Sequence, residues 1–148
     1  MASVIETEIT INAPADRVWA VLADLSGYAT WNPFIVDAAG RPEAGARVSL
    51  RVARADGRRV GFRPVVLMAV APVQLRWLGR LGPPGLFDAE QGFRLEVPNG
   101  RAPVRLIQRV RLEGLLALVR RRSLEPELLE RCAAMNEALK RRVEAGPG

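Results

Sequence analysis

Ile5, Ile9 and Ile11 alternate with Glu6, Glu8 and Thr10 at a period of two, which predicts a half-buried strand from about Val4 to Asn12 with Thr7 on its inward side. Asn12-Ala13-Pro14-Ala15-Asp16 then opens a helix. Pro14 suits a first helical position and Asp16 the positive end of the helix dipole, and Val18, Trp19, Val21 and Leu22 form the apolar face. The stretch Asp24 to Phe34 is too short and too punctuated for a long helix. A second short helix or turn ending before Pro33 is expected, because the residue before a proline avoids helical backbone.

From Phe34 to about Leu112 the pattern is strand and turn. Val48, Leu50 and Val52 oppose Arg47, Ser49 and Arg51, Asp56-Gly57 marks a hairpin, and Val60 to Ala71 is expected as one long apolar strand containing a single basic residue, Arg63. Arg63 is expected to pair with a strand-end carboxylate or to bind an acidic ligand head. Leu75, Trp77 and Leu81 alternate with Arg76 and Arg80, then Phe93, Leu95 and Val97 with Arg94 and Glu96, then Leu106, Val110 and Leu112 with Arg105, Arg109 and Arg111. Turns at Gly82-Pro83-Pro84-Gly85 and Pro98-Asn99-Gly100 separate these runs.

The last third changes period. Leu128, Leu129, Cys132, Met135, Asn136, Leu139 and Val143 recur at three- and four-residue spacing, which predicts a long helix opened by Pro126 and ended by Gly146-Pro147-Gly148. Gly114 to Leu124 reads as an earlier helical turn or a bent lead-in. Neither linker nor internal repeat interrupts residues 1–148, so one domain is expected.

An antiparallel sheet with one apolar face must cover that face, and the last helix is the only long amphipathic element available. The predicted fold class is therefore α+β: a strongly curved antiparallel sheet of six to seven strands around a long C-terminal helix, with two short helices after the first strand. One helix cannot fill the hollow of so long a sheet, so an internal cavity is expected, of the kind that holds apolar ligands.

Six segments, in chain order, carry a resemblance: Ala13-Pro14 with Val18-Trp19, Trp31-Asn32-Pro33-Phe34, Leu75 with Trp77 and Gly79, Glu90-Gln91-Gly92-Phe93 with Leu95, Leu112-Glu113-Gly114-Leu115-Leu116, and Met135-Asn136 with Leu139-Lys140. Together they resemble the START-like, helix-grip (SRPBCC) superfamily, in its polyketide cyclase/dehydrase-like branch. The resemblance covers essentially the whole chain. It implies the helix-grip fold but no single function, since lipid carriers, hormone-binding proteins, aromatic cyclases, chaperone cofactors and quinone-binding proteins share it. Members of that branch often carry a histidine where this chain has Gln91, a departure from the pattern, and an amide there can donate and accept hydrogen bonds but cannot act as a base.

Composition narrows the chemistry further. At 148 residues the chain is long enough to bury roughly 68–70% of its unfolded surface without a disulfide or metal staple. It contains no histidine and a single cysteine, Cys132, so catalytic triads, Cys-His dyads, His-ligated metals and internal disulfides are excluded. No cofactor and no metal are expected, and no catalytic residue is assigned. Asp88 and Glu90 share the parity opposite to Gln91, so no inward carboxylate pair emerges. Of the 22 basic residues only Lys140 is not arginine, and the formal charge is +6. Most arginines fall singly on the polar parity of strands, which argues against a specific nucleic-acid role. The exception with a partner to find is Arg120-Arg121-Arg122, which suits weak contact with an acidic membrane. The N-terminus carries two early acids rather than a basic start and an apolar run, so a cytoplasmic protein is expected, as a monomer or homodimer.

The candidate ligand-binding residues are Trp31, Phe34, Trp77, Gln91, Phe93, Gln108, Met135 and Asn136. Gln91 and Gln108 share inward parity with Phe93 and with Val110. Buried amides need partners, so they either meet the polar end of a ligand or tie strands together. Trp31, Phe34 and Trp77 offer aromatic walls or core plugs. Met135 and Asn136 lie on the inner helix face, where methionine adapts to irregular volumes and Cys132 is an inert thiol. The expected function is binding or transport of a hydrophobic small molecule, such as a lipid, polyketide, aromatic or isoprenoid. The alternatives are a polyketide aromatase/cyclase, and an accessory protein for a redox enzyme or membrane surface.

Overall fold

A computed structural model describes residues 2–146. Strands β1 (Ser3–Ile11), β2 (Ile35–Ala39), β3 (Ser49–Ala53), β4 (Arg59–Phe62), β5 (Val65–Val70), β6 (Gln74–Arg80), β7 (Asp88–Glu96) and β8 (Val104–Glu113) combine with helices α1 (Ala15–Ala23), α2 (Leu115–Val119) and α3 (Arg121–Glu144), plus a 3-10 helix over Leu25–Thr30. All ladders are antiparallel. β1-β8-β7-β6-β5 form one sheet and β2-β3-β4 a second, with an isolated bridge from Arg47, just ahead of β3, to Val65 of β5. The expected helix-grip architecture is present, its curved sheet resolved into five strands and three, with α3 packed on the apolar face.

The alternation predicts the faces well. Ile5, Ile11, Leu75, Trp77, Phe93, Leu95, Leu106, Val110 and Leu112 are all buried. The opposite parity carries a ladder of charge, with Arg80 to Asp88 at 3.2 Å, Arg94 to Glu96 at 3.1 Å, and Arg105 bridging Glu8 and Glu96. Half-exposed pairs of this kind add little stability each. They do place much of the arginine excess on the outer face of the sheet.

Four expectations need correction. Val60 to Ala71 is not one strand. Pro64 has no N–H to give a ladder, and the chain changes sheet at Arg63-Pro64, so β4 pairs with β3 and β5 with β6. Arg63 stands exposed at this break and enters no ion pair among the described residues; its backbone carbonyl instead accepts from Arg47 Nη1 at 2.6 Å. The last helix begins at Arg121 rather than at Pro126. Ser123 and Leu124 donate their N–H groups to the Arg120 carbonyl, so a first turn forms ahead of the proline, and Pro126 sits exposed within the helix, where it removes one backbone bond. Leu129, expected on the buried stripe, is 51% exposed, while Ala138 takes a buried place. Of the expected helix stop, Gly146 follows a helix that ends at Glu144, and Pro147 and Gly148 lie outside the described residues.

Gly114 turns β8 into α2. Its φ is +108°, and a Cβ there would lie 2.5 Å from the Leu86 carbonyl oxygen, so only glycine fits. Among the described residues no helix is long and apolar enough to cross a membrane.

Candidate functional site

The hollow between the two sheets and α3 holds a cavity of about 330 Å³. Leu50, Val52, Val60 and Phe62 of the β3–β4 hairpin line one side, and Leu116, Leu124 and Leu128 of α2 and α3 line another. Gly79, Ala89, Val110 and Leu112 supply the sheet wall, with Phe34, Trp77 and Gln91 buried at its inner end. Arg54, Asp56, Arg58, Arg120, Ser123 and Glu127 add the polar groups, and Arg58 at 83% side-chain exposure marks the open end. The size and mostly apolar lining suit a small hydrophobe with one polar group.

A continuous chain of hydrogen bonds backs the inner end. Trp77 Nε1 donates to Gln91 Oε1 at 3.0 Å, and Gln91 Nε2 donates to Gln108 Oε1 at 2.8 Å. Gln108 Nε2 donates to Asn136 Oδ1 at 2.8 Å and to the Cys132 carbonyl at 3.3 Å, and Asn136 Nδ2 donates to Thr7 Oγ1 at 2.9 Å. An indole N–H can only donate, so Trp77 dictates which end of Gln91 faces it, and that choice dictates every amide downstream. The chain ties β6, β7, β8, α3 and β1 together through side chains that are otherwise costly to bury.

The structure therefore separates the candidates. Phe34, Trp77 and Gln91 line the cavity. Gln108 and Asn136, 0% and 2% exposed, lie behind Gln91 within the hydrogen-bonded chain. Phe93 packs edge-on against Trp77 with ring centroids 5.7 Å apart, and Met135 is buried in the core; neither lines the cavity. Trp31 is half-buried against Tyr28, 5.1 Å between centroids, also away from the cavity. The loop between Trp31 and Phe34 divides these roles because Asn32 Oδ1 accepts from the N–H groups of Phe34 and Ile35, both at 2.9 Å, and holds Phe34 inward.

Several lining residues escaped the sequence analysis. Leu50, Val52, Val60 and Phe62 alternate as strand residues do, but nothing in that alternation says that the hairpin folds over the helix. Glu127 is half-buried at the cavity's open end. Arg54 Nε donates to it at 2.6 Å and the Ala55 N–H at 3.4 Å, and these bonds hold its carboxyl below the usual carboxylate range against the opposing effect of burial. Arg131 Nη2 also donates to the Arg54 carbonyl at 3.3 Å, so the hairpin is clamped to α3 at this point.

Two further titratable side chains, Cys132 and Tyr28, are buried. Burial pushes the Cys132 thiol up to about 12 and also raises Tyr28, whose hydroxyl donates to the Leu22 carbonyl at 2.6 Å. No group of three or more His, Cys, Asp and Glu side chains is placed to hold a metal among the described residues.

A family model described as polyketide cyclase/dehydrase and lipid transport matches residues 2–144. No curated protein matches the chain significantly. Among solved structures, the Zhui aromatase/cyclase from Streptomyces sp. R1128 is similar at a TM-score of 0.77 and 20% identity, over 97% of this chain and 94% of that one. A START superfamily protein from Mycobacterium smegmatis is similar at a TM-score of 0.70 and 25% identity, over 96% and 97%. Norcoclaurine synthase from Thalictrum flavum is similar at 0.73 and 14%, over 98% and 96%.

Proposed function

Because the chain belongs to the polyketide cyclase/dehydrase and lipid transport family, we propose that it binds or carries a hydrophobic small molecule in the cavity between the β3–β4 hairpin and α3. The observation that carries this reading is the cavity itself, about 330 Å³ with apolar walls and one amide, that of Gln91, at its inner end. Phe34 and Trp77 touch the apolar body of the ligand, and Gln91 meets its polar group with the lone pair and N–H left over from its bonds to Trp77 and Gln108. Gln108, Asn136, Phe93 and Met135 position these side chains from behind, and Trp31 braces the loop that carries Phe34. The protein works in the cytoplasm as one domain over residues 1–148, monomeric or as a homodimer, with weak acidic-membrane contact through Arg120, Arg121 and Arg122.

Native mass spectrometry of freshly purified protein tests the reading, together with displacement of a fluorescent fatty acid. A bound hydrophobe released on denaturation, and loss of the probe in a Val52→Trp variant that fills the cavity, are the expected results. A protein that never carries or takes up a hydrophobe overturns it.

A second reading, a polyketide aromatase/cyclase, draws on the fold shared with the Streptomyces aromatase/cyclase. Gln91 cannot move a proton as a base, and Glu127 is held ionised by Arg54, so cyclisation here would rest on shape. Faster or redirected cyclisation of a poly-β-carbonyl thioester by the purified protein favours this reading. An accessory role beside a redox enzyme is the third possibility retained from the sequence.

A further inference from the structure

We propose that α2 and the arginines after it form a membrane-docking element that sets the cavity's open end against an anionic bilayer. Leu115, Leu118 and Val119 are 64%, 47% and 72% exposed and Leu116 is 38% exposed, so one short helix turns nearly all of its apolar side chains outward. Its only buried residue is Ala117. Soluble surfaces seldom gather so many contiguous exposed aliphatics without a use for them.

The charge beside the patch names the occupant. Arg120, Arg121 and Arg122 follow Val119 directly, all three are exposed, and none enters an ion pair among the described residues. No acidic residue occurs between Glu113 and Glu125. The outer sheet differs here, since many of its arginines face carboxylates. Exposed aliphatics bordered by unopposed arginines match the interface of an acidic bilayer, where the apolar groups enter the acyl boundary and the cations meet lipid phosphates and carboxylates. A helix of five residues offers far less than the roughly 800 Å² per partner of a stable protein interface. A bilayer needs no such area from one rigid partner.

Position connects docking to the cavity. Leu116 and Arg120 belong both to this patch and to the cavity lining. The uncharged Gly82–Gly85 turn is exposed beside them, with the Gly85 carbonyl accepting the Leu115 N–H at 3.0 Å. Docking through α2 therefore presents the open end to the lipid surface, and an apolar ligand can cross without passing through water. This transfer step rests on the proposed ligand-binding function, whereas the docking does not.

The test is flotation of the full protein with phosphatidylcholine vesicles and with vesicles of phosphatidylcholine and phosphatidylserine, at low and high salt. Wild type is expected to float with the anionic vesicles only, and to be released by salt. Leu118→Ser/Val119→Ser and Arg121→Glu/Arg122→Glu, neither of which alters a cavity-lining residue, should each lower partitioning by about tenfold or more. Their circular dichroism and their uptake of a fluorescent fatty acid in solution should match wild type. Equal flotation of wild type and both variants, or none by wild type, overturns the proposal. So does a wild-type dimer that the Leu118/Val119 variant dissolves, which would assign the patch to a second copy. Anionic flotation without fatty-acid uptake overturns the ligand-binding reading and leaves the docking standing; uptake without flotation does the reverse.

Discussion

Gln91 Nε2 donates to Gln108 Oε1 at 2.8 Å, yet only Gln91 reaches the cavity. The two amides share inward parity on neighbouring strands and look equivalent in sequence. Their register separates them: Gln91 lies opposite Trp77 and Val110, whereas Gln108 lies opposite Phe93 and Thr7 and under α3. One is a wall residue, the other a strut.

That division predicts different consequences for the same change. Gln91→Leu leaves the Trp77 N–H and Gln108 Oε1 without partners, at a cost of about 2–4 kcal/mol. A fall in Tm of roughly 5–15 °C should accompany it, together with weaker probe binding. Stability within experimental error of wild type would show that the bonded chain contributes nothing.

Gln108→Leu should destabilise to a similar degree, since it strands Gln91 Nε2 and Asn136 Oδ1. Among molecules that remain folded, probe affinity should stay within about threefold of wild type, because Gln108 is 0% exposed and off the cavity. Isothermal titration at a temperature well below the variant's Tm checks this. A large loss of affinity with Gln91 still in place would return Gln108 to the binding surface.

The clamp between hairpin and helix carries a pH signature. The Glu127 carboxyl is lowered in the fold from its ordinary 4.5, chiefly by the hydrogen bond from Arg54. A lowered carboxyl stabilises the fold above its unfolded value, and that contribution is lost as pH falls through the folded value. Glu127→Gln should therefore cost about 0.5–1 kcal/mol at neutral pH, a modest figure because the Arg54 side chain is 37% exposed. The gap from wild type should close in acid well below 4.5. Urea titrations across pH measure it, and a gap that does not change with pH would remove the ion pair from the account.

Cys132 should be silent in the native state. It is 1% exposed with its thiol pushed up to about 12, so almost no thiolate is available at neutral pH. Iodoacetamide is expected to label it only in denaturant. Native labelling at the rate of a free thiol would mean that α3 separates readily from the sheet.

Much of this fold is legible along the chain because burial on a sheet repeats every two residues and burial on a helix every three or four. Ile5 to Ile11, Leu75 to Trp77 and Phe93 to Leu95 announce their inward faces without reference to any neighbour. The break at Arg63-Pro64 is harder to read, since Val60 to Ala71 is apolar apart from Arg63 and periodicity does not say which sheet a strand will join. Leu129 is exposed for a related reason: a helical stripe is wider than the neighbours available to cover it.

The sequence by itself determined the α+β class, the inward faces of most strands, the absence of histidine chemistry and the burial of Gln91, Gln108 and Asn136, all of which depend on local period or on composition. Only the tertiary structure decided that Gln91 is the member of that group that faces the cavity, that Arg54 and Glu127 clamp its open end, and that α2 turns its leucines outward. Those outcomes depend on residues far apart in the chain being brought together, as when Arg54 meets Glu127 or Thr7 meets Asn136. Strand register and helix packing set such pairings, and neither has a period that a single chain displays.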